Sequence, residues 1–519
     1  MIGRSVGSVL DACAHHYPRE TALVHGERRL SHTELFGRVR QTGRALRKLG
    51  LGSGDRLAFV MADSPALLEV MYGALWAGIT VVPLNARLSL DDHRYMVGDA
   101  QARALVFDAS SAERGHELLA ACATEIAIAT DEAAVPERGV LLERLLAVES
   151  DGAGAPAADP DDECIIQYTG GTTGFPKGVL HSHRTLLASL YSATLELDIR
   201  PGEITAHVAP LTHSGLVYVL PVWARGGTNV ILGGFDPARL LRTIEHERVT
   251  STVMVPTMLY HLLDLPGIAD RDLSSLRTLT YGAAPMGPER IEQAMDTFGP
   301  IFLQVYGQSE APAQITVLTK RDHVLARENP ELLRSCGRPV AIVDVRCADD
   351  TLAGVPDGEP GEIVVRGPNV TLGYVNKPQE TAAALREGWL CTGDIGVRDD
   401  RGYFYIVDRK KDMIVSGGFN VYPKEVEQTL FAHPAVRDVC VLGVPDEKWG
   451  EAVKAIVVTD PDAAITAGEL IEFVKARKGS VLAPKSVDFA DSIPVSSVGK
   501  HDKKALREIY WSGRERAVN

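Results

Sequence analysis

YTGGTTGFPKG, residues 168–178, is the segment on which the architecture turns. Gly170, Gly171 and Gly174 carry no Cβ, so successive backbone N–H groups can converge on an anion there. Thr169, Thr172 and Thr173 add hydroxyl donors, and Lys177 adds a point charge. It is not a Walker loop, in which the lysine is followed by a Ser or Thr that binds Mg²⁺. Here Lys177 is followed by Gly178. The apolar run 164–167 just before it reads as the end of a buried strand. On these residues alone a flexible Gly/Thr surface turn is the alternative.

The rest of the chain sets the frame. At 519 residues it exceeds what one simple core organises, so two or more domains are expected. Hydrophobic content of 45% and charged content of 24% are those of a soluble globular chain. A net charge of −14 with no block of lysines or arginines argues against a nucleic-acid partner. Seven cysteines are scattered (13, 122, 164, 336, 347, 391 and 440) with no CxxC pair. That usage fits a reducing, cytoplasmic location and offers no zinc site. Asp11 interrupts the only early apolar stretch, so no secretory signal is expected. The longest apolar run, VMYGALWAGITVVPL at 70–84, is broken by Gly78 and Pro83 and is shorter than the ~20 residues of a spanning helix. No transmembrane segment is expected; the run reads as a buried helix turning into a buried strand.

Helical and strand patterns alternate over 21–150. Ser31 and Glu34 form a capping box for a helix whose apolar face includes Leu35, Val39 and Leu46. RLAFVM (56–61) and ALVFD (104–108) read as strands, which predicts layered α/β architecture. DGAGAPAADPDDE (151–163) reads as a surface loop. The alternation resumes with NVILGG (229–234), a helix near 238–247, STVMVP (251–256) and LRTLTYG (276–282). From about 337 to 408 short strands and turns predict a β-rich subdomain, with GEIVVRG (361–367) and GYFYIVDR (402–409) as examples. A helix from about Pro423, strands VCVLGVP and AVKAIVV, and a helix capped by Thr466 and Glu469 predict an α+β domain of roughly one hundred residues. The expected organisation is α/β followed by α+β: a large N-terminal domain 1–408, a junction at 409–412 and a small domain 413–519.

Other segments are unlike generic core. They are GITVVPLN (78–85), PLTHSGL (210–216), YGAAP (281–285), QVYGQSEAP (304–312), GWLCTGD (388–394), DRKKDMIVSGGFNVYP (408–423) and IPVSSVGKHDKKALR (493–507). With the glycine segment, and in this order, they resemble the adenylate-forming superfamily across essentially the whole chain. Within it they look most like acyl-CoA synthetases, the fatty-acid or aryl-acid CoA ligases.

The resemblance implies ATP, Mg²⁺ and coenzyme A as co-substrates and cofactor, and a small-molecule hydrophobic acid as partner. It implies a carboxylate that attacks the α-phosphate of ATP, then a CoA thiol that takes the acyl group. Gly170, Gly171, Thr172, Thr173 and Gly174, flanked by Thr169 and Lys177, would cradle phosphates. Ser309 would touch the α-phosphate and Glu310 would bind the metal. Tyr306 and Gly307, after Gln304, would meet adenine, with Gly282, Ala283 and Ala284 as the other wall. Asp394 and Arg409 would hold the ribose. Lys500 would bridge carboxylate and α-phosphate during adenylation alone. Lys411 would be the hinge of a mobile C-terminal lid, and Ser416, Gly417 and Gly418 would line the CoA channel. His213, Gly215, Tyr218 and Tyr281 would wall the acyl pocket.

Each role has a structural alternative. Lys500 can be one more surface lysine near Lys503 and Lys504, Asp394 with Arg409 a structural ion pair, Glu310 a helix cap and His213 a core histidine. Gly171 stands where the family usually has Ser, Ser309 replaces Thr, Ser496 and Val498 replace threonines, and His501 replaces an aliphatic residue. An acyl-AMP ligase that loads a carrier protein, and a member performing one half-reaction, remain as alternatives. The carrier branch usually has an insertion before the hinge, where only turns such as PDGEPGE occur. An amino-acid adenylation domain would want an acidic anchor near His213, which is lacking. A homodimer is compatible with the sequence.

Overall fold

The computed structural model describes residues 5–149, 158–169, 176–284, 286–417, 419–446, 448–460, 465–495 and 501–511, apart from the side chains of 214–216, 269 and 504. Contacts divide the chain into two compact units, Met1–Val345 with Val365–Leu390, and Arg346–Val364 with Cys391–Asn519. Residues 346–364 and 391–408, expected with the large domain, fall in the second.

Among its described residues the first unit holds two large sheets. One runs in the order Arg338–Pro339, Ala311–Leu318, Phe302–Gln308, Thr278–Gly282, Ser251–Met254, Ile204–His207, Thr228–Ile231, Thr21–His25, Arg28–Ser31. The other runs Gly373–Tyr374, Lys177–Ser182, Glu163–Thr169, Thr80–Pro83, Arg56–Val60, Ala104–Phe107, Ile126–Ala129, Val140–Leu141. Their central strands are parallel, with antiparallel pairs at both edges of the first sheet and at one edge of the second. Thr80–Pro83 and Ala104–Phe107 are buried at every residue, as parallel strands covered on both faces must be. The layered α/β architecture is therefore the one expected.

The apolar run at 70–84 behaves as read. Its helix begins earlier, at Pro65, because Ser64 accepts from the Leu67 N–H and Pro65 suits the first turn. It ends at Gly78 in the left-handed conformation (φ 79°), and the strand Thr80–Pro83 follows. This helix, Pro65–Ala77, is buried on nearly all sides and crosses the Ser31-capped helix His32–Lys48 at a glycine contact. A Cβ on Gly43 would lie 2.7 Å from the Trp76 ring and 2.8 Å from the Gly73 carbonyl. Around the crossing, Trp223 stands edge-on to Phe36 at 5.2 Å and to Tyr72 at 5.0 Å. Trp223, Tyr72 and Phe36 are among the largest fully buried side chains.

In the second unit a sheet runs Phe419–Val421, Ile414–Ser416, Gly450–Thr459, Val436–Asp446, with Ser486–Phe489 parallel to Gly450–Thr459. Helices Pro423–Phe431 and Ala467–Leu482 cover one face of it through Val426, Leu430, Leu470 and Val474. Thr466 and Glu469 make the expected capping box. All seven cysteines are free. No helix among the described residues is long and apolar enough to cross a membrane.

Candidate active site

Two hairpins frame the candidate site. The first joins Glu163–Thr169 to Lys177–Ser182, with Thr169 opposite Lys177. Its tip holds Gly170, Gly171, Thr172, Thr173 and Gly174, which lie outside the described residues. The second joins Phe302–Gln308 to Ala311–Leu318, leaving Ser309 and Glu310 at the turn. A strand follows Glu310, so this carboxylate caps no helix.

The second hairpin is bent on purpose. Its register shifts between Tyr306 and Gln308, a bulge of the sort that re-aims side chains beside functional sites. A Cβ on Gly307 would lie 2.7 Å from the Ala313 carbonyl, and Ala313 itself has φ 74°, unusual for a residue other than glycine.

Three contacts tie the Ser309–Glu310 turn to the strand Lys177–Ser182 and to the segment paired with it. His181, on the glycine hairpin, donates from Nε2 to the Ser309 carbonyl at 2.7 Å. Its Nδ1 faces Thr185 Oγ1 at 3.3 Å. Burial pushes this imidazole down to about 4, so it is neutral and the carbonyl fixes its tautomer. The Thr371 N–H donates to the Glu310 carbonyl at 2.8 Å. The Tyr374 hydroxyl donates to Glu310 Oε1 at 2.8 Å. Tyr374 belongs to a short strand paired with Lys177–Ser182, and Lys177 Nζ lies 5.2 Å from the centre of its ring. Burial, then the Glu310 charge, pushes the phenol upward, so it stays a donor.

Beside the turn, Tyr306 is buried and Gly282 packs on its neighbouring strand. A Cβ at Gly282 would meet the Val305 carbonyl at 2.4 Å, and Ala283 follows with φ 65°. Ala284 continues that wall, and Gln304 sits opposite Tyr281 in the register. The Tyr281 side chain turns into the core: its hydroxyl donates to His323 Nε2 at 2.9 Å, and its ring lies 6.3 Å from that of Phe302. It is not among the residues that line the cavity below.

That cavity, about 170 Å³, lies between the strands Glu163–Thr169 and Lys177–Ser182, the hairpin that carries Ser309, and the helix Leu211–Ala224. His213 and Tyr218 line it, together with His181, Gly307, Gln308 and Ser309. Gly215 lies in the same helix. His213 keeps an open outer face, yet loss of water around its ring lowers its pKa. Desolvation pushes the Tyr218 phenol up to about 12.

In the second unit, Asp394 is buried and pairs with Arg409 Nε at 2.7 Å across an antiparallel register. Lys410 bonds Asp350 at 2.7 Å and Glu362 at 3.1 Å. Lys411 is held below the usual lysine value by burial. Ser416 is buried, and Gly417 donates to the Trp449 carbonyl at 2.8 Å. Gly417 has φ 58°, and a Cβ on it would run into the Trp449 ring at 2.5 Å. Gly418 and Lys500 lie outside the described residues, as do Ser496 and Val498. The segment 496–500 is bracketed by an antiparallel bridge between Val495 and His501.

No group of three or more His, Cys, Asp or Glu side chains that could hold a metal occurs among the described residues. A single carboxylate, Glu310, nevertheless suits Mg²⁺ where a bound phosphate supplies further oxygens. That ion usually takes one or two carboxylates and fills its other positions with phosphate oxygens and water.

Residues 10–375 match the family model of the AMP-binding enzymes, and residues 425–500 match that of the AMP-binding enzyme C-terminal domain. The chain belongs to the AMP-binding enzyme family. Among its relatives is the medium/long-chain fatty-acid–CoA ligase FadD8 of Mycobacterium tuberculosis, 41% identical over 99% of this chain and 91% of that protein. A feruloyl-CoA synthase of an Amycolatopsis species is 38% identical over 95% of this chain and 96% of its own. The solved structure of the amide bond synthetase McbA from Marinactinospora thermotolerans superposes with a TM-score of 0.87 at 31% identity, covering 98% of this chain and all of that one. This AMP-binding enzyme is thus an adenylate-forming protein of the acyl-CoA synthetase kind.

For this AMP-binding enzyme, sequence reasoning missed His181, Gln308 and Tyr374. Gln308 stands inside a quoted motif, one residue from Gly307 and from Ser309, and His181 lies three residues past the end of the glycine segment. Tyr374 falls between motifs, and only strand pairing brings it to Glu310.

Proposed function

We propose that the protein activates a hydrophobic carboxylic acid as its acyl adenylate and passes the acyl group to coenzyme A. A carboxylate is already a nucleophile, so the first step needs no general base. It needs anions held together and charge stabilised as it develops at phosphorus. The carboxylate oxygen attacks the α-phosphorus, the bond to pyrophosphate breaks, and acyl-AMP forms. The CoA sulfur then adds to the acyl carbon, the thiol proton passes to water, and AMP leaves.

In this reading residues 170–174 with Thr169 and Lys177 hold the β- and γ-phosphates. Ser309 contacts the α-phosphate. Glu310 holds Mg²⁺, which neutralises phosphate charge when bound. Tyr306, Gln304 and Gly307 face adenine across from Gly282, Ala283 and Ala284. Asp394 and Arg409 hold the ribose, and Lys500 serves adenylation. Residues 409–412, with Lys411, form the hinge between a domain 1–408 and a lid 413–519, whose Ser416, Gly417 and Gly418 line the CoA channel. His213 and Tyr218 wall the acyl pocket. Seven unpaired cysteines suit a cytoplasmic enzyme.

What supports the reading is that Ser309 and Glu310, hydrogen-bonded through His181 and Tyr374, converge beside a cavity, with Lys177 over the Tyr374 ring. Pyrophosphate–ATP exchange that depends on added carboxylate tests the first step. Mass detection of the acyl-CoA tests the second. Exchange without thioester would instead favour a carrier protein, or an amine as in the amide bond synthetase, as acceptor.

A further inference from the structure

The cavity beside Ser309 carries information about the acid that the two reaction steps do not use. Its apolar wall is made by Ile165, Leu186, Val217, Pro312 and Ala313. Its volume, about 170 Å³, is close to that of an engineered cavity of about 150 Å³ that binds benzene. A space of this size takes one six-membered ring with a small substituent.

One polar group in this wall has no partner. The side-chain nitrogen of Gln308 is buried and makes no hydrogen bond. His181, another donor of the wall, is spent: it uses Nε2 on the Ser309 carbonyl. A buried donor without an acceptor is costly, and natural proteins keep few of them. The bulge between Tyr306 and Gln308, and the left-handed Ala313 opposite Gly307, show backbone irregularity spent where this side chain meets the cavity.

We propose that the acid is a single-ring carboxylic acid bearing a hydrogen-bond-accepting oxygen, and that Gln308 is the specificity-determining residue that donates to that oxygen. The inference rests on the acid-activating function proposed above. A ring carbonyl, ether or phenol oxygen satisfies the amide; an apolar isostere of equal size leaves it unpaired. The discrimination then comes less from the bond gained than from the donor left stranded.

The test uses the full-length enzyme, pyrophosphate–ATP exchange and three acids: methoxybenzoate, its ethyl isostere and dodecanoate. The expected kcat/KM order is methoxy over ethyl by about tenfold to a hundredfold, with dodecanoate last. In Gln308→Leu the methoxy preference falls to parity or reverses, while the KM for ATP stays within about twofold, a split that general damage would not give. Gln308→Met is the second variant, and thermal melting reports its folding. Should neither variant fold, the wild-type order alone decides. Dodecanoate as the best substrate, or an unchanged methoxy preference in a folded variant, overturns the inference and leaves acid activation standing. Absence of exchange with every acid overturns acid activation itself.

Discussion

The hydroxyl of Tyr374 donates to the carboxylate of Glu310 at 2.8 Å, and the same ring lies 5.2 Å from the ammonium of Lys177. One side chain thus orients both charges that the proposed chemistry sets around the phosphates. Tyr374→Phe removes the hydroxyl and keeps the ring. The expected result is a higher Mg²⁺ requirement for exchange, by about fivefold to tenfold, since a hydrogen bond to a charged group is worth roughly 1.5–3 kcal/mol and this one is partly solvated. Calorimetric titration of ATP with and without Mg²⁺ checks it. An unchanged Mg²⁺ dependence would show that Glu310 needs no such support.

The lacing of Ser309 by His181 makes a second prediction. His181→Leu leaves the Ser309 carbonyl without its donor and should cost about 1–3 kcal/mol of stability. His181→Gln, which can still donate, should recover part of that loss. Urea unfolding of the pair measures the difference.

Acid should weaken the fold in a defined window. His181, His183, His207 and His323 are each pushed from 6.5 down to about 4, chiefly by burial. As pH falls below 6.5 the unfolded chain binds these protons while the folded chain does not. Stability is therefore complete above about 6.5 and is lost as pH falls toward about 4, where the folded form protonates too. Melting temperature followed from pH 7.5 to 4.5 should decline with a slope steeper than one proton. A flat profile would contradict the burial of these rings.

The helix crossing predicts a stability effect with no catalytic one. Gly43→Ala drives a methyl against the Trp76 ring and the Gly73 carbonyl. Overpacking of this kind costs about 1–3 kcal/mol. Specific activity per folded molecule should not change, and denaturation followed with an activity assay separates the two.

Lys500→Ala should reduce acyl-AMP formation by about a hundredfold or more, the scale of losing one transition-state charge contact. Conversion of supplied acyl-AMP and CoA to thioester should be largely spared. Equal loss of both would remove the role proposed for this lysine.

Much of this was legible in the sequence because it is local. Ser31 with Glu34, and Thr466 with Glu469, announce their helices through spacing alone, and both capping boxes form. The helix-to-strand reading of 70–84 follows from apolar content and Gly78. Lys177, Ser309 and Glu310 stand out because charged or hydroxyl residues at strand ends beside glycine are chemically conspicuous. His181 and Tyr374 do not, because their meaning comes from partners 128 and 64 residues away in sequence. Tyr281 shows the converse: it sits in a motif, yet its phenol turns to His323, a partner no local pattern points to.

The grip on Glu310 also has a timing. Its hydroxyl partner is added to the chain 64 residues later. During synthesis the carboxylate turn therefore leaves the ribosome well before the strand that will tether it, and the cleft stays unlatched until that strand docks beside Lys177–Ser182. Fragments that stop short of residue 374 carry every conspicuous motif of the first unit and still lack its latch.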